Sequence, residues 1–473
     1  MCVSPSRAML ALVAVLPVAR ALSAPTITSL KEQLAQKPAG AALAAEFALR
    51  KEGKGSPHRA SRTRVFDDGA ETRVTLYRDS AAWCPYCQKL WMMLEEKEIN
   101  YAVELINMRS YGDKPASFTA KVRGGILPAL ELDGTMYTES LDIMAMLDDA
   151  FADGRRALLP DRESPEWERT RALLRLERSL FSAWCAYVFG GGFGSKRNFE
   201  AAMRKVDAAL GDQPGPWFSD FSDGPSLVDL QYVSHVERIA ASVPYWRGDV
   251  VRGSGAYPNV DRWFEAFEAR PSYAASRSDW YTHVNDIPPQ YGPGVPSNTP
   301  DQKAYAAALD GGDAAWRLPL PPLAASDAPS DALQPGWEAF EADAATEAAY
   351  HVIDNLDAVA AFAARAKAAP GGWAPAARTA RLADPLATPA EGAVRDAVQD
   401  ALLVVAQVLL ADCDVAAADV ASGPRGARRW RPRRRAQCAA YLRERVGVPR
   451  DVRARRPARR ATLNWVSDAA ERA

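Results

Sequence analysis

A strand, a tight loop and a Cys-x-x-Cys opening a helix constrain this chain more than any other stretch. Val74–Tyr77 is a short buried-strand run, and Arg78 to Trp83 reads as the loop leaving it. Cys84 then falls at the N-cap of a helix ending near Lys97. Pro85 takes the first helical position, where a missing N–H costs nothing. A thiol there faces unpaired backbone N–H groups and the positive end of the helix dipole, and both favour the thiolate. Cys87 lies one turn on, in reach of a disulfide with Cys84 or of a mixed disulfide formed there. Such a pair also suits half of a tetrahedral zinc site. No second Cys-x-x-Cys exists and the other cysteines are scattered, so redox chemistry is the stronger reading and no metal is expected.

The flanking pattern extends this unit. Tyr101–Leu105 is a second strand, reached by a right-handed crossover and therefore parallel to the first. Ala129–Leu132 and Met136–Tyr137 flank Asp133-Gly134, a strong hairpin turn, and Ser140–Phe151 closes the unit as a helix. A parallel pair joined to a hairpin, with Cys-x-x-Cys after strand one, is a thioredoxin-like arrangement. Residues 156–290 turn helical, with apolar stripes over Pro165–Phe189, Asn198–Leu210, Ser226–Ala241 and Val260–Ala269. Ser226 and Asp229 form an acidic capping box. The aromatic residues are mostly bundle core, with Trp184 and Tyr187 as candidates to face a cleft.

At 473 residues the chain exceeds one ordinary core. Its 48% hydrophobic content and net charge of −1 describe a soluble globular protein without overall bias toward nucleic acid. No apolar run reaches the ~18 residues needed to span a bilayer. Residues 1–65 read as targeting presequence and linker. Arg7 precedes the apolar run Ala8–Ala19, Ala21-Leu22-Ser23 offers a cleavage pattern, and Ala24–Arg64 is rich in basic residues, Ser and Ala. Leu43–Leu49 has the pattern of a short helix. A plastid destination fits this two-part composition; a plain signal peptide with a linker, or a cytoplasmic chain, is the alternative. Residues 66–155 form the thioredoxin-like unit, 291–335 a Pro- and Gly-rich linker, and 336–473 an Ala-rich helical extension. That extension carries 15 arginines between Arg425 and Arg460, read as pairing with the acidic residues before them or as solvated charge.

The constellation as a whole resembles the glutathione S-transferase superfamily, in its cysteine-type branch near the omega class and glutaredoxins. Trp83-Cys84-Pro85-Tyr86-Cys87 carries the glutaredoxin tetrapeptide. Lys114-Pro115 precedes Phe118, Gly125–Ala129 resembles the family's cis-proline segment, and Glu139-Ser140 matches its Glu/Ser-Ser pair. Tyr257–Trp263 and Glu268–Pro271 look like the late helix of the C-terminal domain. A group of plastid glutathione S-transferase-like proteins of plants and algae is more similar still. It matches at Leu76–Asp79, Trp83–Lys89 and Ser182–Cys185, and in the extension at Tyr350–Asn355, Val359–Arg365, Tyr441–Asp451 and Leu463–Trp465. The arginines around Arg428–Arg435 depart from that group.

The resemblance implies a thioredoxin-like α/β domain followed by an all-α bundle, and glutathione as co-substrate. Cys84 and Cys87 are then the catalytic pair. Trp83, Pro85, Tyr86, Lys114, Leu127, Pro128, Glu139 and Ser140 are the glutathione-binding set. Leu127 would pair with the cysteinyl backbone beside Pro128. Ser140 would hold the γ-glutamyl carboxylate at a helix terminus, Glu139 the ammonium, and Lys114 the glycine carboxylate. The expected activity is a glutathione-dependent thiol transferase or reductase acting on a disulfide or small electrophile. Dehydroascorbate reduction and glutathione conjugation are the neighbouring alternatives, and a non-catalytic ligand-binding or partner-docking module is the rival from another class. No nucleic-acid partner and no membrane span are expected, and a homodimer is left open.

Overall fold

The computed structural model describes residues 25–59, 61–108, 114–310, 344–368 and 392–410. Residues 1–24, the segment 311–343 and the arginine-rich block lie outside them.

Two helices, α1 (Ile27–Gln36) and α2 (Pro38–Lys51), come first. They occupy the stretch whose composition marks it as presequence and linker. Thr26 and Ser29 cap α1 reciprocally, and Pro38 opens α2 at a position that needs no N–H. A five-stranded sheet follows, built from β1 (Thr63–Arg64), β2 (Val74–Asp79), β3 (Tyr101–Ile106), β4 (Ala129–Leu132) and β5 (Thr135–Tyr137). Its order is β1-β3-β2-β4-β5. β2 runs parallel to β3, with Val74 opposite Tyr101, and antiparallel to β4, with Val74 also opposite Leu132. The crossover between β2 and β3 is α3 (Pro85–Glu96), as the strand–helix–strand pattern requires. Asp133 and Gly134 turn the β4–β5 hairpin with φ of 51° and 80°, the left-handed geometry that Asp-Gly supplies. The short helix α4 (Ala116–Lys121) precedes β4, and α5 (Ser140–Ala150) closes the unit.

The helical half is organised around α8. Before it come α6 (Pro165–Cys185), which runs into a wider turn at Ala186–Gly190, and α7 (Ser195–Gly211). α8 (Leu227–Arg247) is buried from Leu227 through Trp246, because α3, α6 and the later helices surround it. A helix buried on all sides needs its N-terminal donors satisfied internally. The Ser226–Asp229 box does so, and Asp229 also accepts from Phe218 N at 3.0 Å and Trp263 Nε1 at 2.9 Å. α9 (Pro258–Glu268), α10 (Pro271–Ser276) and α11 (Trp280–Tyr291) complete the bundle.

Within the Pro- and Gly-rich stretch the chain forms one more helix, α12 (Pro300–Asp310), packed on α8. Tyr305 and Leu309 share its inner face, and Gln302 Nε2 donates to the carbonyl of Tyr245 at 2.8 Å. The prolines punctuate this segment without preventing a helix, since Pro300 sits at its start.

The extension supplies α13 (Ala344–Asp354), α14 (Leu356–Ala368) and α15 (Ala393–Leu410). Of these, α13 and α15 pack with α1 and α2 from the far end of the chain. Leu30 and Leu34 are buried there, and Phe47 stacks near Tyr350 at 4.7 Å between ring centroids. Gln33 and Gln407 exchange amide hydrogen bonds of 3.3 and 3.0 Å. Among the described residues no helix is long and apolar enough to cross a membrane. Leu30→Ala is expected to cost this module about 2–5 kcal/mol. Amide exchange should then accelerate over residues 393–410 and stay slow over 101–106; unchanged protection in 393–410 would mean that α1 does not hold α15.

Candidate active site

The site is built on the carboxyl end of β2. That strand is central and buried, yet it ends in Asp79, a carboxylate with 0% exposure. The chain then turns sharply: Ala82 N–H donates to Asp79 O at 3.1 Å, and Ala82 itself takes φ of 53°. One carboxylate oxygen, Asp79 Oδ2, accepts the backbone N–H groups of Trp83 at 2.6 Å and Cys84 at 3.1 Å. This short loop delivers Cys84 to the N-cap of α3, with Pro85 as its first residue.

Cys84 is 8% exposed and Cys87, one turn deeper, 2%. Both are free thiols. Their sulfurs and a carboxylate oxygen of Asp79 all lie within 4.8 Å of one another. Burial pushes the Cys87 thiol well above its ordinary pKa, and the adjoining Cys84 and the Asp79 charge push it the same way, against a hydrogen bond with the Asp79 backbone.

The helical half braces this loop from behind. Arg238 of α8 is fully buried and donates to the carbonyls of Trp83 and Ser234, and to Gln88 Oε1 at 3.0 Å. Its guanidinium lies 4.8 Å from the centre of the Trp83 ring. Gln88 Nε2 in turn donates to Glu237 Oε2 at 3.0 Å and to the carbonyl of Ser276 at 3.2 Å. Trp83 is 1% exposed, so its side chain serves the packing between the halves and faces the core. Trp184 and Tyr187 are buried as well. Trp184 bonds Ser242 Oγ at 2.8 Å and packs on Tyr291, while Tyr187 stacks on Phe199 and bonds Asp249.

Most other expected positions lie on the loops before β4 and at the start of α5, and of these Lys114 interacts with both thiols. The Leu127–Pro128 bond is cis, and the ladder between β2 and β4 begins only at Ala129. Lys114 is partly buried and folds its ammonium onto the carbonyl of Gly125. Gly125 has φ of +60°, and a Cβ there would meet Lys114 Cδ at 3.1 Å. Burial lowers the Lys114 pKa, against the pull of both Cys87 and Cys84. Glu139 precedes α5 at φ 64° and ψ 98°, a strained backbone for a residue with a side chain. Its carboxylate makes no capping bond and is exposed, with Ser140 beside it as the first residue of α5. Tyr86 is partly buried, its ring edge-on to His235 at 5.4 Å and 5.4 Å from Lys89 Nζ. Lys89 is buried, and that burial brings its pKa down to about 8 against the pull of Glu177.

Asp79 and Arg238 are the residues that sequence reasoning passed over. A signal existed for each: an acid ending an apolar strand, and Glu237-Arg238 inside an otherwise apolar helix. A second buried ionic group, Glu177 and His235, lies beneath Tyr86, with Nδ1 to Oε1 at 2.8 Å. Burial pushes His235 down to about 4, against the attraction of Glu177. Burial alone would raise Glu177, but hydrogen bonds from His235 and Arg178 outweigh it and hold it at about 2.

The unfolded chain therefore takes up the His235 proton first as the medium is acidified. The associated stability is whole above about pH 6.5 and is lost as pH falls toward about 4, with Glu177 extending the loss below about 4.5. The unfolding free energy from urea titration should fall across that window by an amount on the order of a few kcal/mol, and the urea midpoint with it. A His235→Gln protein should show a flatter profile between pH 6.5 and 4; an unchanged profile would remove His235 as the cause.

Comparison with known proteins reaches the same unit. Residues 83–150 match the family model of the glutathione S-transferase N-terminal domain, and residues 194–266 that of the C-terminal domain. The protein is 29% identical over 205 residues to Protein IN2-1 homolog A of Oryza sativa subsp. japonica, spanning 42% of this chain and 78% of that one. It is 25% identical over 204 residues to Glutathione S-transferase L2, chloroplastic, of Arabidopsis thaliana, spanning 41% and 64%. To Glutathione S-transferase DHAR2 of Arabidopsis thaliana it is 33% identical over 157 residues, spanning 31% and 67%. The two domain matches fall in order on the thiol-bearing sheet and on the bundle that braces it, and this chain belongs to the glutathione S-transferase family of enzymes.

Proposed function

We propose that the protein is a glutathione-dependent thiol transferase or reductase with Cys84 as its nucleophile. The observation that carries this reading is the position of Cys84 at the N-cap of α3, one turn before a buried Cys87 and within electrostatic reach of Lys114. Serine or tyrosine at that place would stabilise a glutathione thiolate for conjugation, whereas a cysteine thiolate attacks sulfur itself. In the proposed cycle Cys84 thiolate attacks the glutathione sulfur of a mixed disulfide. The partner thiolate leaves and takes a proton, and Cys84 is left bonded to glutathione. A second glutathione thiolate then attacks the glutathione sulfur, giving glutathione disulfide and regenerating the Cys84 thiolate.

Glutathione is proposed to lie with its backbone along Leu127, its γ-glutamyl group at Glu139 and Ser140, and its glycine carboxylate at Lys114. The uncapped Glu139 carboxylate and the strained backbone that presents it support that placement. Cys87 sits deeper, beside the Asp79 carboxylate, where a second anion is disfavoured. Release by external glutathione is therefore the main route and an internal Cys84–Cys87 disulfide the slower one. Dehydroascorbate reduction uses the same thiol and is favoured as a second activity by the similarity to Glutathione S-transferase DHAR2. Plastid residence belongs to the same proposal, supported by the relative named chloroplastic.

Cys84→Ser should abolish turnover of a mixed glutathione disulfide, while Cys87→Ser retains turnover with glutathione as reductant. A folded Cys84→Ser protein that keeps its rate would end this reading, and one that still binds ligand without turnover would leave a binding module. Lys114→Ala should raise KM for glutathione about 10-fold with kcat nearly unchanged, as removal of one charge-assisted contact made equally in ground and transition states requires. A fall in kcat at constant KM would place Lys114 in the chemical step instead.

A further inference from the structure

We infer that, in the reduced protein, Asp79, Cys84 and Cys87 bind a thiophilic divalent cation of the zinc class, and that the bound ion withholds both thiols from exchange. Among the described residues these three form the one group of His, Cys, Asp or Glu side chains whose ligand atoms cluster closely enough for an ion, all within 4.8 Å. A tetrahedral zinc ion asks for ligand atoms ~3.3–3.8 Å apart, so closure takes about an ångström of side-chain rotation. The sequence offers half a zinc site; the third ligand comes from the strand end five residues earlier, which the sharp turn at Ala82 folds back onto the pair.

The independent observation is Asp79 itself. Its Oδ2 holds the loop amides, but Oδ1 is buried with no hydrogen-bond partner. An unpartnered buried carboxylate oxygen is costly, and coordination is one way to satisfy it. Charge also fits. Two thiolates and a carboxylate carry three negative charges, the ion two positive, and the buried Arg78 guanidinium one more. Arg78 donates to Asp79 O at 3.0 Å and interacts with the charge of Cys87. Two sulfur donors with one oxygen select zinc or cadmium over magnesium or calcium, which prefer oxygen alone. The fourth position falls toward Cys84, the ligand with the greatest exposure of the three, where solvent or a glutathione thiol reaches it. Binding displaces a proton from each thiol and changes no oxidation state.

The ion site does not depend on the thiol-transfer reading; only the inhibition does. Equilibrium dialysis of the reduced full chain against zinc should show a Cys84-dependent ion bound one to one, absent after oxidation to the Cys84–Cys87 disulfide. Cys84→Ser and Cys87→Ser should each weaken it by roughly 100-fold or more, and Asp79→Asn, which keeps an oxygen for the two loop amides, by roughly 10- to 100-fold. Cys185→Ser should bind as the unaltered chain does, and near-UV circular dichroism identifies any variant that has not folded. Cadmium should add a thiolate charge-transfer band that Cys87→Ser diminishes. No Cys84-dependent zinc, or a folded Asp79→Asn protein with undiminished affinity, would overturn the site. Zinc held by both thiols in a protein that still turns over would keep the site and remove Cys84 as the nucleophile.

Discussion

The carboxylate of Asp79 accepts the amide hydrogens of Trp83 and Cys84 from a position without solvent, and the path of the loop follows from those two bonds. They set where α3 begins, and hence which cysteine lies nearer the surface and which deeper. Burying an anion is expensive unless charge and hydrogen bonds compensate it. Here the compensation is local: two amides on one oxygen, and Arg78 pinned between its own strand's carbonyl and the ring of Trp91, 4.6 Å away. The place of Cys84 is thus set by an acid in the sheet and not only by the helix terminus.

The same loop is held from the other side by the helical bundle. Arg238 reaches from α8 to the carbonyl of Trp83, and Gln88 returns the contact from α3. A second tie lies at the far end of α3. There Glu96 accepts from Arg156 at 2.9 Å and from Arg270 at 2.8 Å. Both ties are charged and largely buried, so removing one partner leaves an uncompensated ion. The bundle therefore fixes α3 at both ends, and a change in its packing is transmitted to the motif through rigid hydrogen-bonded contacts.

Much of this was legible in the chain because its signals are local. Pro85 after Cys84, Asp133-Gly134 and Ser226-x-x-Asp229 are short patterns with one favoured geometry each, and α3, the hairpin and the head of α8 stand where those patterns put them. The proline at 128 and the Glu139-Ser140 pair were legible only as a constellation, since either alone is common. What the sequence hid depends on distant partners. Asp79 reads as a loop residue until the loop is folded over it. Arg238 reads as the solvent side of an amphipathic helix until α8 is found buried on every side. The helices α1 and α2 resemble targeting sequence because small and basic residues suit both, and only docking on α13 and α15 separates the two. Tyr305 and Leu309 were masked by surrounding prolines that delimit α12 without breaking it.

That docking has a consequence for the order in which the chain can be built. Leu30, Leu34 and Phe47 leave the ribosome early, whereas the surfaces that cover them belong to residues 344–410. At synthesis rates of ~5–20 residues per second, roughly a quarter of a minute to a minute separates the two. Meanwhile the thiol-bearing unit and the bundle can close on their own nearby contacts. The first helices are then the last part of the described fold to be buried, and their apolar faces stay open to chaperones, or to one another on neighbouring nascent chains, until the extension arrives.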